Sequence, residues 1–112
     1  MNLLENIPYQ AEKMGRRIVI DKKHLLIIQI ALKPGQRVPQ HNANSNVNLL
    51  ILKGTITVNL FGTDNQVKEG DLLPVAYQTP MTIVNNGKTN LKVKKNSIVK
   101  AGLFSIVVKQ KN

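Results

Sequence analysis

The sequence has no cysteine and few aromatic residues, and these two gaps disfavour whole classes of protein chemistry. Without cysteine, the 112-residue chain forms no disulfide, no thiolate zinc or iron–sulfur site and no thiol nucleophile. Aromatic residues make up 4% of the chain and tryptophan is absent, so the base-stacking platforms of many nucleic-acid-binding proteins are nearly missing. Disulfide scaffolds, thiol enzymes and stacking-based nucleic-acid binding are therefore disfavoured.

Acidic residues and long apolar runs are also scarce. Asp and Glu total 6 against 16 Lys and Arg, so few carboxylates are left for acid–base chemistry and the formal net charge is +10. The basic residues are spread along the chain, which favours a solvated basic surface over a nucleic-acid site. The longest near-candidate for a membrane span, Leu25–Leu32, contains Gln29 and is far shorter than the ~20 residues required. The N-terminus lacks the pattern of a secretory signal, so we expect a cytoplasmic protein without a membrane partner.

Turn signals recur at the spacing of an all-β sandwich or barrel. The β-rich runs between them predict strands at residues 16–20, 24–33, 47–52, 55–61, 81–84, 91–95 and 103–109, with another short strand at 97–101. The length fits one domain, residues 1–112. Because so many short antiparallel strands must protect their edges, the sequence predicts a small antiparallel β-barrel or double-sheet jelly roll.

Two local patterns refine this prediction. Only Lys53 and Gly54 separate two of the strands, which predicts a tight hairpin. In the strand after Gly54, apolar Ile56 and Val58 alternate with polar residues, so the apolar side chains are expected to face inward. Before Lys53 the same alternation directs Leu49 and Ile51 inward.

Glycines and one histidine give the sequence a family resemblance. Gly35 is followed after five residues by His41, and Gly54 closes this first pattern; Gly70 opens a second pattern that ends at Asn85. These spacings resemble the two motifs of the cupin family, over about half of the chain. The resemblance implies a cupin-type barrel.

The same resemblance implies four metal-ligand positions, three of which carry residues that cannot serve as the usual ligands. The family uses two histidines and a glutamate from the first motif and a histidine from the second, and the matching residues here are His41, Ala43, Val47 and Met81. Because a metal held by imidazole and carboxylate needs at least three such groups, we expect no metal and no other cofactor. The proline and glycine of the second motif are likewise replaced, by Ala76 and Gln78.

We therefore predict a non-catalytic cupin-like barrel that binds a small, mostly apolar molecule. The alternative is a cupin-type enzyme, an isomerase or a metal-dependent oxygenase, with a non-standard site. The predicted ligand-binding residues are His41, Val47, Tyr77 and Met81. We assign no catalytic residue, because residues 36–53 contain no carboxylate to support His41.

We also predict a homodimer. Consecutive residues of Leu25–Leu32 are apolar, and Leu50 and Leu52 fall on the outward face if their neighbours point inward. An exposed apolar sheet face is typical of an interface, and two-fold pairing of identical patches is its commonest use.

Overall fold

The computed structural model describes residues 2–86 and 102–108, which contain nine β-strands and no helix. The strands are β1 (Gly15–Lys22), β2 (Leu25–Leu32), β3 (Arg37–Asn42), β4 (Val47–Lys53), β5 (Thr55–Leu60), β6 (Thr63–Lys68), β7 (Leu72–Val75), β8 (Pro80–Val84) and β9 (Gly102–Val108). In these two ranges, accordingly, no helix is long and apolar enough to span a membrane. The predicted all-β class is confirmed.

The strands form two antiparallel sheets. One has five strands in the order β1-β2-β9-β4-β7, and the other has four strands in the order β3-β8-β5-β6. β4 and β5 follow each other in the chain but lie in different sheets, and β9 pairs with both β2 and β4. This is the double-sheet arrangement of a jelly roll, as predicted.

The hairpin predicted around Lys53 and Gly54 is wrong. β4 ends at Lys53 in the five-stranded sheet, whereas β5 begins at Thr55 in the four-stranded sheet, so the two strands do not pair. Gly54 has a φ of 79°, a left-handed conformation that lets the chain turn sharply from one sheet to the other. A two-residue hairpin instead joins β5 to β6 through Phe61 and Gly62, whose φ values of 52° and 82° match a type I′ turn.

Three strands, β3, β6 and β7, are not indicated by the sequence pattern. All three lie at sheet edges, where one side of the strand makes no backbone pairs. Edge strands tolerate proline and polar residues, and β3 contains Pro39 while β7 contains Pro74. The strands predicted at residues 91–95 and 97–101 lie outside the described residues.

The core lies between the two sheets, and its residues follow the alternation that the sequence predicts. In β4, Leu49 and Ile51 are at most 1% exposed, whereas Leu50 and Leu52 are half-buried. In β5, the inward apolar residues are buried as expected. Thr57 is an exception on the outward face, because it is buried and its hydroxyl accepts a hydrogen bond of 2.9 Å from the side-chain amide of Asn86.

Asn85, which closes the second motif, connects the ends of the two sheets. Its Nδ2 donates to the carbonyl oxygen of Leu32 at 2.9 Å, and its backbone exchanges hydrogen bonds with Gly35 and Gln36. The residue is 1% exposed. A buried amide is stabilising only when such partners are present, so this asparagine fastens the end of β8 to the end of β2.

Residues 2–14 form an irregular segment that crosses the outer surface of the five-stranded sheet. Gly15 is buried, and a Cβ there would overlap the carbonyl oxygen of Pro8. Nearby, Arg17 donates to the side-chain oxygen of Gln29, whose Nε2 donates to the carbonyl of Leu3 at 2.6 Å. Gln29 is fully buried as a result. The outer surface of β2 is therefore covered at this end by the chain's own N-terminal segment.

Candidate functional site

The space between the sheets has two different halves, which we call the closed half and the open half. In the closed half the side chains fill the space and each is at most 1% exposed; they are Leu32, Leu49, Ile51, Ile56, Val58 and Ile83. The open half contains a cavity of about 430 Å³. Its wall comes from β1, β2, β3, β4 and β8, so both sheets contribute to it.

Most of the cavity wall is apolar. β2 supplies Leu26, Ile28 and Ile30, which share one face of the strand by the period of two. The four-stranded sheet contributes Val38 on β3. Four polar side chains complete the described lining: Arg16, Gln40, His41 and Asn44. The arrangement is a small apolar chamber with a few polar groups, which is the usual composition of a small-molecule pocket.

The structure brings three of the four predicted site residues to this cavity. His41 and Met81 are direct cross-strand partners on β3 and β8, so their side chains lie on the same face of the sheet. Val47 begins β4 and lines the cavity from the opposite sheet. Met81 and Val47 are buried, whereas His41 is exposed at the rim.

Tyr77 does not line the cavity in this structure. It lies in the loop between β7 and β8, and its side chain is 57% exposed. Its backbone N–H donates to the side-chain oxygen of Asn46 at 2.9 Å. The loop therefore sits beside the residues that follow β3, but Tyr77 is not among the residues that line the chamber.

The geometry of His41 determines which ring nitrogen is available to a ligand. Nδ1 lies 3.0 Å from the carbonyl oxygen of Pro39. A carbonyl only accepts, so Nδ1 carries the proton and donates in this contact. Nε2 is then the nitrogen left to interact with a molecule in the cavity.

Arg16 is the cavity residue that the sequence pattern does not single out. It lies opposite Ile30, so it shares the inward face of the sheet with that residue. The pairing of β1 with β2 shifts by one residue between Ile18 and Ile20, which marks a β-bulge. If the strands paired from the β1–β2 turn without this bulge, Arg16 would face outward and Arg17 inward. The bulge alone decides which of the two neighbouring arginines reaches the cavity.

Comparison with known proteins identifies the family. No family model matches the chain. The chain is 32% identical over 82 residues to an uncharacterised protein of Methanocaldococcus jannaschii, a match that covers 69% of this chain and 71% of that protein. The crystal structure of that archaeal protein is an RmlC-like cupin with a double-stranded β-helix fold; it matches at a TM-score of 0.71 and 26% identity, over 89% of this chain and 83% of the archaeal one. The chain belongs to the cupin superfamily.

A second solved structure agrees on the fold of this cupin. An uncharacterised conserved protein of Klebsiella pneumoniae with a double-stranded β-helix domain has a TM-score of 0.81 and 15% identity. The match covers 100% of this chain and 90% of that one. The resemblance drawn from the spacing of Gly35, His41, Gly54, Gly70 and Asn85 is confirmed. Neither relative has an assigned function.

The residues of this cupin do not fit the metal that the family resemblance implies. Of the four matching positions, His41 alone offers an imidazole, while Ala43, Val47 and Met81 offer a methyl group, an isopropyl group and a thioether. No carboxylate is among the described residues that line the cavity. Across residues 2–86 and 102–108, no group of three or more histidine, aspartate or glutamate side chains converges. We therefore assign no metal-dependent chemistry to this cavity.

The position where the second motif has glycine adopts a left-handed backbone conformation in this cupin. Gln78 stands at that position and has a φ of 65°. Its N–H donates to the carbonyl of Ala43 at 2.7 Å, and the N–H of Ala43 donates to the carbonyl of Thr79 at 3.0 Å. These bonds hold the loop before β8 against the end of β3.

Proposed function

We propose that this cupin binds a small, mostly apolar molecule in the open half and that it acts without catalysis. The observation that carries the proposal is the cavity of about 430 Å³, at the position of the family's site, with an apolar wall. Pockets for small ligands typically measure about 300–1,000 Å³ and combine apolar walls with a few polar groups. The cavity has the size and the composition of such a pocket.

The residues at the former ligand positions explain why the space is there. Ala43 and Val47 are smaller than the histidine and the glutamate that the family resemblance implies, and both are buried. Protein interiors tolerate few voids, and ordered water needs two or more polar partners. The apolar part of this wall offers water no such partners, so an apolar guest is the occupant that the lining favours.

The enzyme alternative has less support. General acid–base chemistry usually needs two suitably placed groups, and His41 is the one imidazole, with no carboxylate beside it, among the described residues that line the cavity. Its Nδ1 is engaged by the carbonyl of Pro39 rather than by a carboxylate. A lone imidazole at the rim orients a guest or donates a hydrogen bond to it, and binding is therefore the role we propose.

Filling the cavity tests this function directly. Ala43 is 2% exposed and lines the cavity, so Ala43→Leu would place its added carbons in the guest's space. The probes are benzyl alcohol, 2-phenylethanol and 4-phenylbutan-1-ol, measured by titration calorimetry. We expect the wild-type protein to bind at least one of these alcohols and Ala43→Leu to reduce its affinity at least about tenfold. Stability should change by less than about 1 kcal/mol, since the site has room for the larger side chain.

Ala76→Leu is the matched control, because Ala76 is exposed in the loop before β8 and does not line the cavity. It should leave the affinity for the alcohols unchanged. If Ala43→Leu instead lowers the stability by about 1–3 kcal/mol, as overpacking does, Met81 already fills the gap and the proposal fails. Failure of every alcohol to bind the wild-type protein also counts against it.

We further propose that two copies of the chain pair through the outer surface of the five-stranded sheet. Leu50 and Leu52 are half-buried on that surface, and Leu72, the cross-strand partner of Leu50, is 59% exposed. Residues 2–14 cover part of the same surface, which restricts the contact to the remainder. Light scattering at micromolar concentration should give a mass near twice 12.5 kDa, and a monomer mass would refute the pairing.

A further inference from the structure

We infer that the molecule bound in the open half carries a carboxylate and that Arg16 is the residue that recognises it. The inference rests on the proposed function, which it makes more specific: an apolar body with one anionic end. Neither the family resemblance nor the sequence pattern assigns a role to Arg16.

Arg16 is a cation without a partner in the described structure. Of the described residues that line the cavity, it alone carries a formal charge at neutral pH. Its neighbour Arg17 donates to Gln29 and to the carbonyl oxygens of Glu5 and Asn6, so that guanidinium is used to hold the N-terminal segment. For the Arg16 guanidinium, by contrast, no hydrogen bond or ion pair is found among residues 2–86. One arginine is structural, and the other is left facing the cavity.

When an apolar molecule enters the cavity, the free-energy cost of leaving the Arg16 guanidinium unpaired increases. In the free protein Arg16 is exposed, and water solvates its guanidinium. A guest that fills the cavity displaces part of that water, and a charge that loses its solvation is destabilising unless an acceptor replaces the water. A purely apolar molecule supplies no acceptor. A guest with an anionic end supplies one at the place where the water is lost.

The arrangement favours a carboxylate over a phosphate. The planar guanidinium donates two parallel hydrogen bonds to a carboxylate, and one cation then balances one negative charge. A phosphate monoester carries between one and two negative charges at neutral pH and would leave charge uncompensated against apolar side chains. The remaining polar lining groups, Gln40, His41 and Asn44, add no second fixed positive charge, and they lie on or just after β3 rather than beside Arg16 on β1.

Matched pairs of acids and alcohols test the inference. The probes are phenylacetate with 2-phenylethanol, 4-phenylbutanoate with 4-phenylbutan-1-ol, and 4-phenylbutylphosphonate, each titrated into the full chain by calorimetry. We expect the acid of a pair to bind at least about tenfold more tightly than its alcohol, because a charge-assisted hydrogen bond is stronger than a neutral one. Arg16→Met keeps the length of the side chain and removes the charge. It should abolish the preference for the acid, so that the acid and the alcohol of a pair bind the variant with similar affinity.

Lys22→Met is the control, because it removes one positive charge from the same strand at an exposed position outside the cavity. It should leave the acid preference intact. Equal binding of acid and alcohol to the wild-type protein, or a preference that persists in Arg16→Met, overturns the inference while the proposed function stands. Tighter binding of the phosphonate than of the carboxylate overturns the assignment of the anion. Failure of both alcohols and acids to bind overturns the proposed function together with the inference.

Discussion

The closed and open halves of the space between the sheets share three strands, β2, β4 and β8, but are filled differently. Along β8, Ile83 packs in the closed half and Met81 lines the cavity two residues away. Along β4, Leu49 lies in the closed half and Val47 in the open half. The backbone continues unchanged from one half to the other. The difference therefore comes from side-chain volume at a few positions, while the arrangement of strands stays the same in both halves.

The largest expected effect comes from truncating matched residues in the two halves. Ile83→Ala leaves a cavity among fully buried neighbours and should lower the free energy of unfolding by about 2–5 kcal/mol. Met81→Ala, on the same strand and face, enlarges an existing cavity and should cost less than half as much. Urea unfolding of both variants measures the difference. Equal losses of unfolding free energy in the two variants would mean that the two halves are packed alike, which would contradict the difference between them.

A second test concerns the outer cover of the closed half. A Cβ on Gly15 would overlap the carbonyl of Pro8, so Gly15→Ala should displace residues 2–14 and destabilise the protein by about 1–3 kcal/mol. Glycine to alanine in a strand is ordinarily stabilising by about 0.5–1 kcal/mol, so the sign itself is diagnostic. Chemical unfolding measures it, with Arg17→Met as the control that removes hydrogen bonds without adding a clash. A more stable Gly15→Ala protein would show that the N-terminal segment does not lie on Gly15.

The smallest expected effect lies at the rim of the open half. Gln78 has a φ of 65°, which costs a residue with a Cβ about 1–2 kcal/mol, and glycine avoids this strain at an entropic cost of about 0.5–1 kcal/mol. Gln78→Gly should therefore stabilise the protein by about 0.5–1 kcal/mol. Thermal unfolding should show a raised midpoint. Ala76→Gly, in the same loop without a positive φ, should lower it.

The strands buried in the sheets were predictable because their side chains alternate or are continuously apolar. β2, β4, β5 and β8 were all indicated close to their observed bounds, and Leu49 and Ile51 point inward as predicted. Three of the edge strands, β3, β6 and β7, were not predictable in the same way. Edge strands often carry polar residues, because an apolar exposed edge would promote aggregation. The Lys53-Gly54 turn was misassigned because a glycine with positive φ serves equally well in a hairpin and in a corner between sheets.

The site residues that occupy cupin motif positions could be predicted from the motif spacing. The site residue whose direction depends on the register of β1 could not. His41, Val47 and Met81 meet at one cavity because the motif positions hold their places in the fold. Arg16 was missed because a one-residue bulge in β1 exchanges the directions of two adjacent arginines. No composition or periodicity signal distinguishes Arg16 from Arg17 without that bulge. If β1 and β2 had been aligned as a hairpin with a one-residue bulge, the alignment would have placed Arg16 on the inward face.

The position of β9 has a consequence for how the protein is made. This strand follows every other described strand in the chain, yet it lies in the middle of the five-stranded sheet, between β2 and β4. Until residues 102–108 have left the ribosome, the sheet exists as two separate pairs, β1 with β2 and β4 with β7. Each pair then presents an unpaired edge along its most apolar strand, which is the kind of surface that invites intermolecular pairing. Insertion of β9 closes both edges at once, so the sheet is completed after translation of this strand rather than stepwise during synthesis.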